Sequence, residues 1–159
     1  MTAGGAPLGP SAGGATAPGV VIGVGLGGLV DGWGIHQILQ WHNMLSARIP
    51  PTTMDAMRTN MFADGWFDAG AWAIALAGVW MFWAAARRGA VPNGRRFAGQ
   101  LVAGFGLFNL VEGVVDHHLL QLHHVRDVPA HVPLYDWLFL LVGGVGFIAL
   151  GALLNRRAA

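Results

Sequence analysis

The chain has 159 residues, with no cysteine and no lysine, and its 9 arginines nearly balance 8 acids. Charged residues make up 11%, less than half of the roughly 25% found in soluble domains. That composition excludes an ordinary soluble domain, a disulfide scaffold, thiolate chemistry or thiolate zinc sites, and a basic nucleic-acid binder.

Residues 1–17 are rich in Ala, Gly, Pro, Ser and Thr and lack a basic start. They read as a disordered tail, not a cleaved signal, ahead of a single domain over residues 18–155. A bilayer crossing takes about 20 apolar residues, and four stretches supply them, at about 19–41, 66–86, 97–120 and 134–154. The expected fold is therefore all-α, an integral membrane four-helix bundle. Arginine placement orients it. Arg87, Arg88, Arg95 and Arg96 crowd the middle connection, and Arg156 and Arg157 follow the last span. The positive-inside rule puts both in the cytoplasm, with both termini inside a bacterial inner membrane. All eight acids and all seven histidines then fall at mid-membrane or on the outer side.

Residues 21–43 align with 102–124 at an offset of 81, with 11 of 23 positions identical. The identities include His36/His117, Gln40/Gln121 and His42/His123, and Asp31 pairs with Glu112. Further on, Asp68 opens span two as Asp136 opens span four, and Arg-Arg pairs close both. The expectation is a 2+2 parallel internal repeat, helices 1–2 and 3–4, about an axis along the membrane normal.

Ionisable groups inside a span are costly, by about 2.5–3.5 kcal/mol for a central Asp on insertion scales, so their recurrence in two copies points to function. At about 1.5 Å per residue, His36 and His117 lie about 7 Å beyond Asp31 and Glu112, and His42 and His123 about 16 Å beyond, near the outer interface. Two histidines and two carboxylates from four helices suit Fe, Mn, Zn or Cu(II). The candidate ligands are His36, His117, Asp68 and Asp136, with Asp31, Glu112 and Asp116 as ligands or proton carriers. Gln40, Gln121 and Asn109 suit the surrounding shell, and His42, His118, His123 and Asp64 the entrance. One obstacle stands: on an ideal α-helix Asp31 and His36 point about 140° apart, so the glycines nearby must allow a distortion. Met44, Met54, Met57 and Met61 form an outward segment, either thioether ligands for Cu(I) or one packed face of a helix. Three other readings stay open: bis-His haem on His36 and His117, a metal-free proton or ion path, and a structural assembly partner. Whether the chain is an enzyme is open. The expected partners are the lipid bilayer, other membrane proteins and a second copy of the chain, with no nucleic acid.

The strings Asp31-Gly…His36-Gln-Ile-Leu-Gln-Trp-His42 and Asn109-Leu-Val-Glu-Gly-Val-Val-Asp-His-His118 resemble a bacterial family of four-span membrane proteins catalogued as a domain of unknown function. The resemblance covers about residues 18–155. It implies the four-span architecture and, since members often sit beside cytochrome oxidase assembly genes, a link to copper or haem chemistry and to respiratory or metal-assembly partners. The family tends to carry His where Asp68 stands here, an exchange of nitrogen for oxygen that leaves the metal open. It implies no activity.

Overall fold

The computed structural model describes residues 17–156; the tail read over 1–17, Ala17 apart, and Arg157 lie outside them. Among the described residues there are helices and no strand. Four helices are long and apolar enough to cross a membrane: α1 (Pro18–Leu39), α2 (Met54–Arg87), α3 (Gly94–Leu119) and α4 (Pro133–Arg156).

Their ends follow local chemistry. Pro18 and Pro133 occupy first-turn positions, where a missing N–H costs nothing. Thr53 caps α2 by accepting from the Ala56 N–H at 3.2 Å, and Asn93 caps α3 by accepting from the Arg96 N–H at 2.9 Å. Gly89, at φ +66°, turns the chain out of α2. The Thr53 cap starts α2 about twelve residues before the apolar stretch that announces it in the sequence. At 34 residues α2 is about 51 Å long against a bilayer core of about 30 Å, so its first turns project past the apolar layer.

α1 and α3 run side by side at the centre, α2 flanks α1, and α4 flanks α3. The central pair closes to backbone contact at two glycines. A Cβ on Gly23 would collide with the Leu101 carbonyl oxygen, and one on Gly104 with the Val20 carbonyl oxygen, the small-residue packing that lets membrane helices approach. Nearer their starts, the Gly19 N–H donates to Gln100 Oε1 at 3.1 Å.

Burial is inverted relative to a soluble protein. Large apolar side chains such as Leu76, Trp80, Leu141 and Val145 are exposed, whereas Asp31, His36, Asp64, Glu112, His117, His123 and Asp136 are buried. With lipid as solvent, the apolar exterior is the solvated face, and the polar interior marks where the chain concentrates chemistry. That interior occupies the end of the bundle away from the arginines of the α2–α3 connection. There the segments 40–53 and 120–132 cross over each other. The Ala47 N–H donates to Leu122 O at 3.0 Å, and the Val128 N–H to Trp41 O at 2.9 Å.

Candidate metal centre

Three of the four helices change pitch at this end. π-turns run over Asp31–Leu39 in α1, Gly113–Leu119 in α3 and Phe139–Gly146 in α4. A π-turn hydrogen-bonds i to i+5, which stacks residues five apart along one face. This removes the 140° obstacle: Asp31 Oδ2 lies 3.0 Å from His36 Nε2. Glu112 and His117 are five apart in the same way, and both are buried.

The helices then stop abruptly. Gln40 (φ 51°) and Gln121 (φ 49°) are left-handed, a conformation rare for residues other than Gly, Asn and Asp. The Trp41 N–H donates to Ile35 O at 3.1 Å, and the Leu122 N–H, 81 residues on, to Asp116 O at 2.9 Å. The chain turns inward after each glutamine. His42 and His123, which a continued helix would carry to the interface, instead fold back and stack at 4.3 Å between ring centroids. His36 packs edge-on to His42 at 4.5 Å, and His117 to His123 at 5.0 Å. The four rings form one buried cluster, each no more than 2% exposed.

Hydrogen bonds to carbonyls fix the Nδ1 proton of His42 and of His123. His42 Nδ1 lies 3.1 Å from the Val125 carbonyl, and His123 Nδ1 lies 3.1 Å from the Met44 carbonyl. A carbonyl only accepts, so each Nδ1 carries the hydrogen and, in the neutral ring, each Nε2 carries the lone pair. Burial pushes the His123 imidazole well below its usual range, so it is neutral. Its Nε2 points at Glu112 Oε1, 3.4 Å away, and His42 Nε2 points at Asp31 Oδ2, 3.7 Å away. At His123 a lone pair therefore faces carboxylate. Asp31 Oδ2, His36 Nε2, His42 Nε2, both Glu112 oxygens, both His117 nitrogens and His123 Nε2 are buried without a hydrogen bond; the 3.0 Å approach of His36 to Asp31 lacks hydrogen-bond alignment. Each such orphan costs about 1–3 kcal/mol. A cation between them would satisfy them together.

Asp64 and Asp136 sit one layer out. Asp64 Oδ1 accepts from His36 Nδ1 at 3.0 Å and from the Met44 N–H at 2.7 Å, and its Oδ2 accepts from Asn43 Nδ2 at 2.8 Å. Asp136 Oδ1 accepts from the Val125 N–H at 2.8 Å and lies 3.6 Å from His117 Nδ1. Its Oδ2 meets His131 at 2.8 Å and His124 at 3.1 Å. The counterpart of Asp136 in space is thus Asp64, four residues before the Asp68 that the sequence pairs with it. Asp68 faces Gly32, so close that a Cβ there would strike its Oδ1, and that oxygen has no partner. Asp116 is half-buried. Gln40 and Gln121 have exposed side chains at the helix ends. His118 Nδ1 pairs with Gly113 O at 2.7 Å, its ring against Trp137 at 4.9 Å. Asn109 pins α3 to α4 through Gly143 O at 3.1 Å. Met57 and Met61 line a cavity of about 770 Å³ that also touches His36, Asp64, His124 and His131, and leads from the crossed loops to the cluster.

Among the described residues, three groups could hold a metal ion, with ligand atoms within 4.8 Å of one another: His36, His42 and His123; Glu112, His117 and His123; and, nearer the surface, His124, His131 and Asp136. The role of the loops went unread in the sequence, although the recurrence of His42 at His123 was its visible signal. A haem between His36 and His117 has no support here, because the His123 ring stands within 5.8 Å of the first and 5.0 Å of the second.

Over residues 18–158 the chain matches, and belongs to, the family described as Predicted membrane protein (DUF2243). No curated protein and no solved structure matches it.

Proposed function

We propose that this member of a membrane family without an assigned activity binds a transition metal at the His/carboxylate cluster, and serves in metal handling or redox chemistry. One observation carries the reading: His42 Nε2 and His123 Nε2 face the buried carboxylates of Asp31 and Glu112 without a hydrogen bond, a donor set that a bound cation would satisfy. Imidazole and carboxylate donors without thiolate or thioether in the cluster suit Fe, Cu(II) or Zn. Each such ion would supply Lewis acidity, and Fe or Cu would add one-electron chemistry. The protein's own residues hold His36 in place through Asp64, fix the His42 and His123 tautomers through backbone carbonyls, and keep lipid out through the crossed loops.

In this reading the centre faces the outer side of a bacterial inner membrane, since the arginines cluster at the opposite end. Contacts recurring at an 81-residue spacing (His42 to Val125 O and His123 to Met44 O; Ala47 to Leu122 O and Val128 to Trp41 O) support two helix pairs built on one plan. A connection with respiratory oxidase assembly rests on the family resemblance. The test is elemental analysis of detergent-purified protein. Bound Fe, Cu or Zn should fall in His36→Ala and His117→Ala and persist in His118→Ala. Protein that takes up none of these metals refutes the reading.

A further inference from the structure

We propose that the buried centre is dinuclear, with one divalent ion on Asp31, His36 and His42 and a second on Glu112, His117 and His123. The inference rests on the metal-binding reading above and extends it to the number and placement of the ions.

Each triad has the same construction. A carboxylate at the start of a π-turn is followed five residues later by a histidine, and six residues further by a histidine folded back by a left-handed glutamine. In the first triad Asp31 Oδ2 is 3.0 Å from His36 Nε2 and 3.7 Å from His42 Nε2. In the second, Glu112 Oε1 is 3.4 Å from His123 Nε2, and His117 completes a group within 4.8 Å. Three protein ligands and open positions are a common supply for one ion.

The six ligands do not converge on a point. Beyond Asp31, they form two groups that share only His123. An octahedral ion with bonds of about 2.1 Å holds even its trans ligands roughly 4.2 Å apart, so one ion would leave part of the set unused. The triads nevertheless abut, with His42 and His123 stacked at 4.3 Å. Ions held on abutting triads would be neighbours, and two-metal sites typically have a spacing of about 3.5–4 Å.

Charge points the same way. Asp31, Asp64, Glu112 and Asp136 are each at most 5% exposed, and every basic side chain within 4 Å of a carboxylate among the described residues is a histidine, never an arginine. Two divalent ions match the charge of these four carboxylates when ionised, whereas one leaves the remainder to protons on the histidines.

The test uses the full chain in detergent micelles, stripped with chelator, reloaded with Zn²⁺, desalted and counted for zinc per polypeptide. Two equivalents are expected, falling to one in His36→Ala and to one in Glu112→Gln, and staying at two in His131→Ala. X-ray absorption of the zinc-loaded wild type should show a zinc neighbour at roughly 3.5–4 Å, a result that needs no variant to fold. One equivalent in the wild type overturns the dinuclear centre and leaves a single-ion site standing. Two equivalents with one lost in His131→Ala moves the second ion to the surface group and overturns it as well. No bound zinc, or any other metal tried, refutes the underlying metal reading.

Discussion

Asp64→Asn removes the charge behind one ligand while keeping its shape. Asp64 Oδ1 takes two donors, His36 Nδ1–H at 3.0 Å and the Met44 N–H at 2.7 Å, and Oδ2 takes one, from Asn43 Nδ2 at 2.8 Å. An asparagine keeps its carbonyl toward the two donors and turns its NH₂ toward Asn43, whose amide flips to accept. The hydrogen bonds survive, and the carboxylate that makes His36 Nε2 a stronger donor to metal does not. Loss of such a partner weakens metal affinity by about 10–100-fold, which is about 1.4–2.8 kcal/mol. The matched variant, Asp136→Asn, should cost less at the centre, because Asp136 stands 3.6 Å from His117 Nδ1, beyond hydrogen-bond reach. The assay is zinc competition against a chromophoric chelator, with the melting temperature of the apo protein as a folding control. Wild-type affinity in Asp64→Asn, or a larger loss in Asp136→Asn, would refute the carboxylate–histidine–metal chain.

Gly23→Ala should destabilise the bundle by about 1–3 kcal/mol, the usual range for overpacking, since its Cβ meets the Leu101 carbonyl. Gly70→Ala, with nothing within 4 Å of its Cβ, should leave stability unchanged or raise it by up to about 1 kcal/mol; thermal melting in detergent compares the two. Acid should loosen the apo protein through His123. Its folded pKa lies below the ordinary 6.5, so the unfolded chain binds the proton first. The stabilising contribution is complete above about pH 6.5 and is lost as pH falls towards the folded value. Melting against pH should show this slope, and His123→Gln should flatten it. Purified protein should show no Soret band, and one that scales with His36 and His117 would restore the haem reading.

The helices were legible because lipid demands uninterrupted apolar runs. The start of α2 was not, because Thr53 caps a helix whose first turns lie outside the apolar layer and so carry no hydropathy signal. The same omission moved attention from Asp64 to Asp68: with residues 44–65 read as a connection, Asp64 had no helical face. The π-turns left only a symptom, an aspartate and a histidine that an α-helix would point apart. Left-handed Gln40 and Gln121 left no trace, since glutamine has no preference for that conformation, and with them the inward return of His42 and His123 was lost.

The crossed carbonyls have a consequence for how the centre comes into being. His42 is set by Val125, in the second helix pair, and His123 by Met44, in the first. Neither pair can orient its own returning histidine. A chain that has inserted only α1 and α2 holds Asp31 and His36 without a committed third ligand. Ligand readiness is thus an attribute of the closed molecule, and a half-built bundle is a poor trap for stray metal. Under the proposed metal reading, loading would be a checkpoint on assembly, in which the last loop to dock decides when the first helix is able to bind.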